Sequence, residues 1–332
     1  MFSFKATCIN LGKGDFFREA IAIDNKYLAI SNSFKNRITI HTSNRFGKWR
    51  KAKEVAPPEG SVPAKYGEGF GTKLYLKDDV LAIETTIFQH VDNVINPDDF
   101  ILWDETTALF KEVYSIKLSS ESEVKPVKED LLSLHQSSDK NIRSHQTIFK
   151  GKIRKVIFDR NNKHESLAVA SCNNLLLVGH ASHYRGGEAW LYDLNTPQKQ
   201  PEKISATDLY IGTTVAVSKY FTAIGEIGTL NPPPLDAPYL KSKTLVRAID
   251  NGATSIIDSY GKVSLSGNIL AIMRDSAQGH RIALLEVFRL DRYAVPRLII
   301  KRKNIKRAFV QNGFLVTVEK RGNLKMYIRP IS

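Results

Sequence analysis

The chain has 332 residues, 42% of them hydrophobic and 25% charged, with a formal net charge of +14 and a pI near 9.6. These proportions are those of an ordinary globular protein and exclude a chain disordered throughout. The positive excess favours polyanionic partners: nucleic acid, anionic lipid or an acidic protein face.

The first segment, residues 2–9, alternates apolar and polar side chains as a strand does. It lacks the charged start and apolar stretch of a signal peptide, and no run of about 18 apolar residues follows anywhere. A cytoplasmic location is therefore expected. From residue 17 a theme recurs: a short apolar run, a polar turn, then a second apolar run. Residues 17–23 lead through Asp24, Asn25 and Lys26 into 27–30. Residues 70–76 lead through Lys77, Asp78 and Asp79 into 80–83. Copies follow at 166–179, 211–225 and 260–272, and a weaker one at 307–318. Each reads as a β-hairpin, because the runs are too short and too often broken by turn residues for helices.

The hairpins start near 17, 70, 166, 211, 260 and 307, so the gaps are 53, 96, 45, 49 and 47. The longest gap is close to two ordinary ones, which places a divergent seventh unit between about 118 and 160. Further strands follow several hairpins: 37–41 and 49–55, 188–194, 282–288, and 297–301. A period of 40 to 50 with four strands per unit is propeller spacing. The last unit supplies only three strands, 307–310, 314–318 and 323–329. Residues 2–9 are the spare strand that would complete it and remove an exposed edge. The expected fold is all-β: one seven-bladed β-propeller over 1–332, with four-stranded blades, closed by the N-terminal strand joining the last blade.

Trp49 through Leu76, a tryptophan-bearing outer strand, a proline linker, Phe70-Gly71 and an apolar hairpin, resembles the FG-GAP repeat family. Residues 188–196 followed by 211–217 repeat the theme. The resemblance implies a propeller like the integrin α-subunit head and implies no particular chemistry. Calcium-binding members carry Asp-rich loops. The nearest stretch here, 159–163, has one carboxylate and two cations, so no calcium and no other cofactor is expected.

Two stretches interrupt the pattern. Residues 119–146 are rich in Ser, Glu, Lys and His and read either as a long loop or as a degenerate third blade. Residues 231–238 hold four prolines and read as a stiff extended loop. Long loops on a rigid scaffold often carry binding function.

Gly67-Glu68-Gly69-Phe70-Gly71 precedes a hairpin and no helix, so it reads as the repeat's own turn rather than a phosphate loop. His180 and His183 lack a third ligand, and His135 and His145 fall in the polar interruption. Cys8 and Cys172 sit in apolar runs outside any zinc spacing and are expected as buried free thiols, with a single bridge between them left open. No nucleophile or zinc-protease signature is present, although carboxylates distant in sequence can converge in a propeller channel.

Three basic clusters are the candidate binding residues. Arg45, Lys48, Arg50, Lys51 and Lys53 surround Trp49, whose ring is a candidate for stacking on a base. Lys150, Lys152, Arg154 and Lys155 form the second. Arg297, Lys301, Arg302, Lys303, Lys306 and Arg307 form the third, within eleven residues and without an acid. Such groups neutralise phosphates without reading sequence, but outer strands also use charge to protect their edges. The expected function is a non-enzymatic scaffold presenting loops to a protein partner. A nucleic-acid-binding propeller, or one that binds an acidic protein, is the alternative. A propeller hydrolase with a channel site ranks third, so the chain is expected more as a non-enzyme than as an enzyme.

Overall fold

A computed structural model describes residues 6–331, apart from 13–19, 33–35, 45–47, 59–68, 91–106, 127–141, 160–165, 182–187, 206–210, 227–242, 275–282 and scattered shorter gaps. The proline-rich loop 231–238 lies outside the described residues. Among them there is no helix. The chain forms two compact units. A terminal unit joins residues 1–14 to 162–332, and a middle unit comprises 15–161.

In the terminal unit β1 (Thr7–Gly12) is the edge of a sheet completed by three strands from the far end of the chain. In the middle unit β2 (Ile21–Ile23), β3 (Tyr27–Asn32), β4 (Arg37–Ser43) and β5 (Trp49–Val55) form one antiparallel sheet in chain order. A second contains β6 (Gly69–Lys77), β7 (Val80–His90), β8 (Thr107–Lys117) and the short β9 (Lys125–Pro126). A two-stranded hairpin follows, β10 (Ile142–Phe149) with β11 (Lys152–Asp159). It falls inside the interval where a repeat was missing. Its strands extend beyond residue 146, so 119–146 is neither wholly a loop nor a complete four-stranded unit among the described residues.

The terminal unit continues with β12 (Ser166–Cys172), β13 (Leu175–Ala181), β14 (Glu188–Asp193) and β15 (Glu202–Ser205). The next sheet is β16 (Ile211–Val217), β17 (Phe221–Glu226), β18 (Thr244–Ala248) and β19 (Thr254–Ile257). Then come β20 (Lys262–Ser266), β21 (Ile269–Arg274), β22 (Leu284–Leu290) and β23 (Pro296–Lys303). The last sheet is β24 (Ile305–Gln311), β25 (Phe314–Arg321) and β26 (Asn323–Pro330), with β1 beside β26. The four-stranded sheets before the last are antiparallel meanders in chain order, the strand arrangement of propeller blades. In the last sheet β1, Thr7–Gly12, lies beside β26, six residues that overlap the expected strand 2–9 in part.

The second strand of each sheet is its most buried element. Leu28, Ala29, Leu81, Ile83, Leu270, Ala271, Leu315 and Val316 are at most 1% exposed. Alternate residues of β21 face neighbouring sheets on either side. Thus Leu270 and Ile272 pack with Ala216 and Phe221 of the preceding sheet, while Ile269 and Met273 pack with Ile305 and Leu315 of the following one. In the middle unit Ile38, Ile40 and Val55 meet Phe70, Leu74 and Leu81 in one core. The Phe70-Gly71 pair serves this junction. Phe70 is buried and its N–H donates to Asn36 Oδ1 at 3.0 Å. Gly71 adopts φ +86° at a bulge, where an added Cβ would stand 3.0 Å from Ser31 Cβ. The expected buried thiols are corrected: Cys8 is exposed on edge strand β1 and Cys172 is half-buried, both free.

Two measurements test this packing. Replacing Gly71 by Ala combines left-handed backbone strain with a tight contact, and should lower stability by about 1–3 kcal/mol in chemical denaturation. His41 is buried with Nδ1 unpartnered, and burial first, then the charge of Lys51, lowers its pKa below 6.5. The unfolded chain therefore takes up this proton first. Stability should be full above pH 6.5 and fall as pH drops below it, by at most about 1.4 kcal/mol per pH unit. Melting curves of His41→Gln should lose that part of the slope.

Candidate functional site

The first basic cluster lies on β5 and the turn before it. Arg45 lies outside the described residues, and Lys48 and Arg50 are exposed. Trp49 is only 8% exposed, so its ring is packed into the protein and has no face for a base; the stacking role is corrected. Lys51 is paired with Glu54 at 2.5 Å. Lys53 crosses to the next sheet, where its ammonium donates to the carbonyls of Leu118 (3.3 Å) and Glu121 (2.7 Å). In the second cluster Lys150 is outside the described residues, and Lys152, Arg154 and Lys155 stand on β11.

The third cluster runs along edge strand β23 into β24. Arg297, Lys303 and Lys306 are exposed, and Arg307 lies with its guanidinium 5.9 Å from the Phe309 ring centroid. The two central cations serve opposite faces. Lys301 sits across from Glu286 on β22 and pairs with it at 2.7 Å. Arg302, across from Leu285, reaches the next sheet and pairs with Glu319 of β25 at 3.3 Å. Fourth-strand cations thus recur as clasps between sheets: Lys53 in the middle unit, Arg302 in the terminal one.

A polar joint surrounds Glu286. Ser259, in the connection from β19 to β20, donates its hydroxyl to Glu286 Oε2 at 2.5 Å and accepts at its carbonyl from Thr244 Oγ1 at 2.7 Å. Burial pushes the Glu286 pKa up. The hydrogen bonds from Lys301 and Ser259 and the charges of Lys301 and Arg274 outweigh it, holding the carboxyl below its ordinary value. Arg274 stacks on Tyr260 at 4.3 Å. Gly261, next in the chain, has φ +138°, and an added Cβ would stand 2.3 Å from the Met273 carbonyl oxygen. Chemically this joint holds an ionised carboxylate in place between two sheets.

The clasps leave a charge asymmetry. Residues 281–332 contain thirteen Lys and Arg against three Asp and Glu, a surplus of ten out of the chain's +14. All three acids are engaged: Glu286 and Glu319 as above, while Asp291 accepts from the backbone N–H groups of Tyr293 and Val295, each at 2.9 Å. The third cluster catches only part of this surplus. Lys325 and Arg329 on β26 escape it because a strand spreads them over alternate positions. A charge count over a fifty-residue window finds them. Among the described residues no group of three His, Cys, Asp or Glu is arranged to hold a metal ion. His180 is the penultimate residue of β13, His183 and His135 lie outside the described residues, and His145 stands on β10. No helix among the described residues is long and apolar enough to cross a membrane.

No family model matches the sequence, and no curated protein matches it significantly. Among solved structures, the chain is similar to a GH93 α-L-arabinofuranosidase of Fusarium graminearum, at 12% identity and a TM-score of 0.43, covering 98% of each chain. It is similar to the β-propeller domain of the Trilobed protease of Pyrococcus furiosus at 10% identity and a TM-score of 0.45, covering 95% of this chain and 98% of that one. A GH43 endo-arabinanase of Bacillus licheniformis shares 10% identity at a TM-score of 0.32, covering 88% and 95%. These likenesses are to β-propellers, and at such identities they are likenesses of fold alone. Two expectations are corrected here. Because the similar propellers include glycoside hydrolases, neither the non-enzymatic protein-interaction scaffold nor the leaning away from an enzyme stands.

The joint predicts an order among substitutions. Lys301 is half in solvent, so its pair contributes modestly. Ser259→Ala, which removes one hydrogen bond to a charged group, should cost about 1–2 kcal/mol in denaturant unfolding. Arg297→Gln, on the exposed stretch of the same cluster, should change stability by less than about 0.5 kcal/mol.

Proposed function

We propose that this chain is a nucleic-acid-binding propeller that holds its ligand by neutralising phosphates along the sheets formed by residues 281–332. The observation that carries the reading is the surplus of ten positive charges in that segment, whose three acids are all already engaged. Like charge held this densely destabilises the folded unit by self-repulsion, and a polyanion relieves it. The exposed members Arg297, Lys303 and Lys306 are the side chains placed to contribute phosphate contacts, with Lys48 and Arg50 a separate group on the middle unit. Such binding is a property of the surface and is compatible with a reaction carried out elsewhere on the fold. The same reading keeps seven repeats of the FG-GAP type and closure through the N-terminal strand. The place of β1 beside β26, and the hairpin β10–β11 inside the long interval, support it.

The test is binding of labelled DNA and RNA at about 50 and 200 mM salt. The expected result is affinity that falls steeply across this range, with a log–log slope reduced by roughly one for each contact removed in Arg297→Gln, Lys303→Gln and Lys306→Gln. Absence of binding at the lower salt would overturn the reading.

A further inference from the structure

The joint between the last two sheets of the terminal unit holds more positive charge than its own acid can balance. Residues directly opposite across a pair of strands share a face. On β26, Lys325 lies opposite Glu319, Tyr327 opposite Thr317, and Arg329 opposite Leu315. Leu315 packs with Leu285 and Val287 of the preceding sheet, so this face looks toward β22 and β23. Arg302 enters from β23 and pairs with Glu319 at 3.3 Å. Lys325 and Arg329 therefore share a face with Glu319, the carboxylate that Arg302 already engages.

Three features mark this notch as unfinished. Lys325 and Arg329 are half-buried, so water screens them less than surface cations. Arg329 is destabilised as a cation: burial first, then Arg302, lowers its pKa, while Glu319 and Tyr327 push the other way. The Thr317 hydroxyl, on the same face and 1% exposed, has no hydrogen-bond partner. A buried hydroxyl ordinarily finds one, and a missing ion is a recognised reason for an exception.

We infer that the Arg302–Lys325–Arg329 notch is a site for one phosphate group, with the Thr317 hydroxyl as an additional donor. Guanidinium forks match the oxygens of a phosphate; a dianion balances the two positive charges that Glu319 leaves over, and a diester offsets one of them. The inference rests on the polyanion reading only for the source of that group: a nucleic-acid backbone or free inorganic phosphate.

The experiment titrates inorganic phosphate, and in parallel a labelled oligonucleotide, into the full-length chain by calorimetry. Variants are Arg329→Gln, Lys325→Gln and Thr317→Val, with Arg297→Gln as control and circular dichroism as the check on folding. Arg329→Gln and Lys325→Gln should each weaken phosphate binding about tenfold or more, the loss of a charge-assisted hydrogen bond. Thr317→Val should weaken it less, and Arg297→Gln should leave it unchanged. Weakening of both ligands supports the notch and the polyanion reading together. Phosphate binding that Arg329→Gln abolishes, with no oligonucleotide bound by the wild type, supports the notch as a free-phosphate site and removes the polyanion reading. No phosphate binding by the wild type, or binding indifferent to Arg329→Gln and Lys325→Gln in folded protein, overturns the inference. Should Arg329→Gln fail to fold, Lys325→Gln decides alone.

Discussion

The sheet of β20–β23 depends on having a neighbour on both of its faces. The second strands carry apolar side chains on both sides, as Leu270 and Ile272 face one sheet while Ile269 and Met273 face the other. A lone four-stranded meander with that pattern would leave half of it in water, at roughly 1.5–3 kcal/mol for each large side chain exposed. Stability is therefore shared between repeats, and each repeat is short because it needs no core of its own. The place of β1 follows from the same requirement. An unpaired β26 would have been an open edge, and a strand from the start of the chain covers it.

Apolar packing alone does not fix how far one sheet slides past the next. Polar clasps at the sheet margins do so with directional bonds. Lys53 reaches two carbonyls of the following sheet, Ser259 holds Glu286, and Arg302 holds Glu319. These contacts take their cations from the fourth strands, which face solvent on one side and a neighbouring sheet on the other. Positive charge is thus recruited for structure. In residues 281–332 the recruitment exceeds the available acid, and the proposed binding of anions rests on that excess.

The repeats were legible because apolar runs of strand length around Asn, Asp or Gly turns leave few other readings. Which face each residue takes was harder to read. Trp49 begins its strand in a run of cations, and only the register against Ser43 shows that it turns inward. A bulge opposite Val287 and Phe288 sets which of Lys301 and Arg302 meets Glu286, and no local signal in the sequence marks it. Cys8 reads as buried in an alternating strand, but that strand is an edge, so one of its faces lies open. Lys325 and Arg329 escaped notice because a cluster on a strand is separated by alternate positions, while the eye looks for adjacent ones.

The most direct test is to map where a nucleic acid touches the chain. A photo-activatable oligonucleotide would be crosslinked to the full-length protein at about 50 mM salt, and the modified peptides identified by mass spectrometry. The account predicts crosslinks concentrated within residues 281–332. Crosslinks confined to the middle unit, or none above a neutral-polymer control, would contradict it.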